Sequence, residues 1–110
     1  MPVVTIDLAA VTDAAGFHDV FAAALGFASI YGRNLDAWID CLSYVDDPDA
    51  GMTSVVVAPG EILVLRLEGI GRFAETCPDL AAALPDSAAF VNWRRLERGD
   101  AAVLALAYYK

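Results

Sequence analysis

The chain has 110 residues, enough for one domain with a real core, and 58% of them are hydrophobic, which argues against disorder even at a formal net charge of −8. Fifteen acids against seven bases disfavour a nucleic-acid binder, because phosphate contacts need Lys and Arg. The same balance favours a basic protein partner and fast, salt-sensitive association, although acidity also serves plain solubility.

No apolar run approaches the roughly 18 residues of a membrane span. The opening MPVVTIDLAAV has no basic stretch ahead of its apolar residues, so no secretory signal is expected and the cytoplasm is the default location. Cys41 and Cys77 have neither C-x-x-C nor metal spacing, and both read as buried thiols. No cofactor or metal is expected.

Val3 to Leu8 alternates, with Val4, Ile6 and Leu8 on the better-buried face of a strand. Thr12 and Asp13 open a first helix. Its apolar stripe is Phe17, Val20, Phe21, Ala24 and Leu25, and Gly26 stops it. His18 lies on this helix with no nucleophile or carboxylate placed beside it by sequence, so it reads as a surface or half-buried residue.

A loop from Phe27 to Arg33 leads into a second helix capped by Asn34. At about 100° per residue, Leu35, Trp38, Ile39, Cys41, Leu42 and Val45 fall on one side. Asp36, Asp40 and Ser43 fall opposite. That side is either a solvated acidic face or one that offers two carboxylates and a hydroxyl to a partner.

Asp46 to Gly51 reads as a solvated turn. It is not a calcium loop: counted from Asp47, the position that needs Glu is Ala58. Thr53 to Ala58 is β-branched and apolar, Pro59-Gly60 signals a turn, and Ile62 to Leu67 reads as a central strand. The pair is compatible with a hairpin, and either an added edge strand or an extended loop is expected over residues 46–61.

A third helix is expected from Arg72 to Leu84, with Pro78 ending, kinking or restarting it. Pro85-Asp86-Ser87 is expected to open a fourth, from Ala88 to Glu97, with Phe90, Val91, Trp93 and Leu96 available to the core. Arg94, Arg95 and Arg98 either complement the helix dipole or form a contact patch for an acidic area. Ala101 to Tyr109 is the last strand. Two strands read as buried on both faces. The order predicts an α/β fold: one domain, residues 1–110, with a small three-stranded parallel sheet covered by about four helices.

Tyr31-Gly32, Asn34-Leu35-Asp36-Ala37 and Asp40-Cys41-Leu42-Ser43 resemble the signature of the barstar family of intracellular ribonuclease inhibitors. The resemblance implies the same fold, and a second helix that plugs a nuclease active site together with the loop before it. It implies partner-binding roles for Tyr31, Gly32, Asn34, Asp36, Asp40 and Ser43, the last standing where the family has threonine. Ile39, at the edge of the acidic face, adds apolar contact. The partner implied is a basic extracellular-type ribonuclease or nuclease toxin, not nucleic acid and not a membrane. Asp40 would stand where substrate phosphate sits.

The sequence departs from the family at several positions. Ile30 stands for a tyrosine, Ile39 for a contact tryptophan and Arg33 for an acid, and Asn92-Trp93-Arg94-Arg95 lacks the acid supplied by the last helix. These departures keep open an immunity or adaptor protein for a different basic partner. An enzyme using Asp36 and Asp40 is disfavoured, since two acids on one exposed helix face make no cleft. No phosphate loop or nucleophile elbow is present either.

Overall fold

The computed structural model describes residues 1–110. Three strands, β1 (Val3–Asp7), β2 (Leu63–Glu68) and β3 (Leu104–Tyr108), alternate with four helices. These are α1 (Ala14–Leu25), α2 (Leu35–Ser43), α3 (Ile70–Thr76) and α4 (Pro78–Glu97). The sheet is parallel throughout, in the order β1-β2-β3. This is the α/β architecture expected from the sequence, and no helix is long and apolar enough to cross a membrane.

Register explains which side of the sheet is buried. Val4, Leu65 and Leu106 lie side by side, as do Ile6 and Leu67. Ile6, Leu63, Leu65, Leu67 and Leu104 are buried, and with Phe17, Phe21, Trp38, Leu42, Phe73, Leu84 and Val91 they belong to one core of 20 buried residues. The other face is not covered. There Val3, Thr5 and Ala105 are exposed, and Val64 and Arg66 are only half-buried. The expectation of strands buried on both faces is corrected: β2 is fully buried on one face only. Arg66 shields part of the open face by pairing with Glu68 at 2.6 Å and lying over the Tyr109 ring.

Residues 53–58 form no strand, so of the two alternatives the hairpin with an edge strand is corrected and the extended loop is the one found. Their backbone groups bond to helix ends rather than to a neighbouring strand. Ser54 N–H donates to Gly26 O at 2.9 Å and Val57 N–H to Val45 O at 3.0 Å. The segment straps the C-terminal ends of α1 and α2, and Val57 anchors it in the core. Gly26 permits the close crossing. It sits at φ 62°, and a Cβ there would lie 2.5 Å from the Ser54 side chain.

Pro78 does restart the helix. It occupies the first turn of α4, where its missing N–H is an orphan anyway. Pro85 does not open a fourth helix, and α4 runs through it unbroken for 20 residues. The expected core role of residues 88–97 is corrected as well. Val91 is buried, but Phe90, Trp93 and Leu96 are exposed, because they turn away from the stripe formed by Leu84, Ala88, Val91 and Arg95.

Candidate functional site

The loop between α1 and α2 is fastened to α1 at two points. Arg33 adopts φ 57°, in the left-handed region that side chains rarely visit. Its guanidinium binds Asp19 at 2.7 Å and the Ala15 carbonyl at 3.1 Å. Two residues earlier, the half-buried Tyr31 packs on Phe27, and its hydroxyl lies 2.5 Å from His18 Nδ1. Burial pushes the Tyr31 phenol well above its usual range. Burial, with Arg33 nearby, pushes His18 down. The pair thus fits a neutral imidazole accepting the phenol proton. His18 is buried rather than on the surface or half-buried, and its work is to aim Tyr31.

Asn34 starts α2. Its Oδ1 accepts from Ala37 N–H at 2.7 Å, which fixes the helix entry angle, and its Nδ2 makes only a long contact to Gly32 O at 3.4 Å. Trp38, Cys41 and Leu42 go into the core. Ile39 is half-buried, and Asp36 is exposed. The Asp40 side chain is 50% exposed. Beside it, a pocket of about 140 Å³ opens between loop and helix, with Ile30, Tyr31, Gly32 and Cys41 among its walls. The Cys41 thiol is pushed up by burial and by Asp40, so it is a poor nucleophile.

Ser43 does not share the outward face. It is fully buried, and its Oγ donates to Ile39 O at 2.7 Å. Its projected angle matches Asp36 and Asp40, but the end of α2 lies under the C-terminal half of α4. There the Ser43 carbonyl accepts from Arg95 at 2.8 Å. The expectation that Ser43 presents a hydroxyl to a partner is corrected.

The family described as Barstar (barnase inhibitor) has a model that matches residues 1–102. The chain belongs to the barstar family. No curated protein matches it. Barstar-family members are ribonuclease inhibitors that catalyse nothing, so the use of Asp36 and Asp40 as an acid–base pair has no place here.

Within this barstar-family domain, the arginines of α4 do what spacing cannot reveal. Arg94 Nη1 donates to Asp40 Oδ1 at 2.8 Å, across 54 positions of sequence. Arg95 is 3% exposed and grips Asp46 with two bonds, 2.9 and 2.6 Å long. It also binds the Ala101 carbonyl at 2.8 Å. Its expected places, at the helix dipole or in a surface patch, are corrected to a buried ion pair. That pairing holds the Asp46 carboxyl below its usual range. Asn92, in the stretch that lacks the family's acid, turns inward and accepts from Val103 and Leu104 N–H at the start of β3. Opposite charges in the sequence were the only signal for these pairs, and they name no partners.

Proposed function

We propose that the protein inhibits a basic, barnase-like ribonuclease by occlusion, inside the cell that must be protected from it. The observation that carries this reading is the position of Asp40. Its carboxylate projects from the middle of a short, rigid helix, half-exposed, at the rim of the pocket walled by Tyr31 and Gly32. One oxygen is held by Arg94, and the other takes no bond within the chain. A nuclease site built from Arg, Lys and His to grip phosphate would meet that free oxygen as it meets a phosphate oxygen. Asp36 adds charge at the rim, Tyr31 adds amphipathic area, Ile39 adds apolar contact, and Gly32 and Asn34 add hydrogen-bonding groups.

Arg94 favours a second reading, in which the partner is a different basic toxin or protein. A cation beside Asp40 weakens the pull on a guanidinium and offers donors to an acid on the partner.

The test is inhibition of barnase by the wild type and by Asp40→Ala, with thermal unfolding run alongside. Asp40→Ala is expected to unfold within about 1 kcal/mol of wild type, since the pair it breaks is exposed. Binding is expected to weaken by about 2–5 kcal/mol, the range for desolvated charge pairs of this kind, barnase–barstar among them. Equal inhibition by both proteins would place the interface elsewhere. Inhibition of another basic nuclease but not of barnase would select the second reading.

A further inference from the structure

Arg94 stands apart from the other bases of the chain. It alone pairs with a carboxylate of α2, Asp40, at 2.8 Å. Folding does not ask for that contact. The Arg94 side chain is 32% exposed and that of Asp40 is 50% exposed, and an ion pair this wet adds little stability. The helix dipole favours a base in the last turn of α4, but Arg95 supplies one there too. Nor does the dipole aim Arg94 across to α2. A guanidinium carries five N–H donors. Arg94 commits only Nη1 within the chain, to Asp40 Oδ1. Its Nε and Nη2 have no acceptor in the protein, whereas the neighbouring Arg95 turns inward and is buried. The surface beside α2 thus holds a carboxylate and a cation side by side, each with bonding capacity left over.

We propose that Arg94 determines which nuclease this surface accepts: the fitting partner carries a carboxylate beside the cations of its phosphate-gripping site. The inference rests on the proposed inhibitor function and names the partner's chemistry. Asp40 alone would attract any cluster of Arg, Lys and His. With Arg94 at 2.8 Å, a cation that reaches Asp40 also comes close to a like charge. Closure of the interface removes the water that screens the two. A surface of cations alone is therefore penalised. A partner carboxylate reverses the sign. It can take the Nε–Nη2 edge of the guanidinium as a planar, two-bond pair. The cations next to it then take the Asp40 oxygen that Arg94 leaves free. Selection of this kind works by repelling the wrong partner as much as by holding the right one.

The test exchanges charges across the interface. Wild type, Arg94→Gln and Arg94→Glu are titrated by calorimetry against barnase. The same titrations are run against barnase variants in which each Arg or Lys rimming the active site is changed in turn to Glu. Binding, not catalysis, is the readout, so nuclease variants that lose activity still report. At least one reversal is expected to bind wild type about tenfold tighter than unaltered barnase does, and to bind Arg94→Glu about tenfold more weakly. Arg94→Gln is expected to fall between the two, and all three chains are expected to unfold at similar temperatures. A purely structural Arg94 would shift wild type and Arg94→Glu in the same direction for every reversal, and that result would overturn the proposal. Its failure is separable from failure of the inhibitor function. If Asp40→Ala loses binding while no reversal separates wild type from Arg94→Glu, the specificity role alone falls. If neither wild type nor any variant binds a basic ribonuclease, the inhibitor function falls and takes the specificity role with it.

Discussion

A guanidinium taken out of water is costly unless its donors are all met. Arg95 places four of its five N–H donors on Asp46, Ser43 O and Ala101 O. It thereby ties the end of α2, the turn after it and the approach to β3 to one side chain. Removing only one member leaves the others stranded. Arg95→Ala is expected to lose about 3–5 kcal/mol of folding stability, the cost of breaking a buried pair. Arg95→Met combined with Asp46→Leu is expected to recover much of that loss, because neither charge is then buried. A urea double-mutant cycle reads the coupling. A loss below about 1 kcal/mol for Arg95→Ala would show that the pair is solvated. Arg94, one position along, has a different consequence. Its bond to Asp40 is half-exposed, so it acts on recognition more than on folding.

Two prolines separate local rules from tertiary ones at the scale of the element. Pro78 lies in the first turn of α4 and costs the helix nothing, whereas Pro85 lies inside it and leaves the Ala81 carbonyl without its usual donor. Pro85→Ala is therefore expected to stabilise the protein by about 2 kcal/mol, the interior proline penalty less the freedom regained by the unfolded chain. Pro78→Ala is expected to be close to neutral or slightly destabilising. Urea unfolding of both variants checks the contrast, and equal effects would mean that α4 is broken at Pro85 in solution. The same helix shows where sequence reasoning succeeds and stops. The strands, α1, the Asn34 cap and the buried side of α2 follow from period and capping, which are local. The continuity of α4 does not, because packing of Leu84, Ala88 and Val91 into the core outweighs one lost hydrogen bond. At 53–58 composition does not decide between edge strand and loop, for a related reason. Val55 and Val57 have strand composition, but their backbone partners are helix ends far away in sequence. In the site, Asp36 and Asp40 face outward as the helical projection requires, while the burial of Ser43 depends on α4, which the projection cannot contain.

Charge sets the behaviour of the whole molecule. Five of its arginines pair with acids, leaving Arg72 and Lys110 together at a polar depression beside Gly69. The uncompensated charge elsewhere is acidic, which suits electrostatic capture of a basic partner. Two groups also make the fold sensitive to acid. His18 and Asp46 both titrate below their ordinary values in the folded state. For each, the unfolded chain binds protons more readily than the folded one, so stability rises with pH across the window between the two values. The His18 contribution is complete above its unfolded value of 6.5 and is lost as pH falls through the lowered folded value. The Asp46 contribution is complete above 3.8 and is lost below that. Tyr31, Arg33 and Asp19 are the titratable or charged groups around His18. Urea unfolding at a series of pH values is expected to show a first loss just below 6.5 and a second below 3.8. His18→Gln is expected to remove the first loss and leave the second. A variant that keeps the upper step would mean that His18 is solvated and that the Tyr31 contact does not hold it neutral.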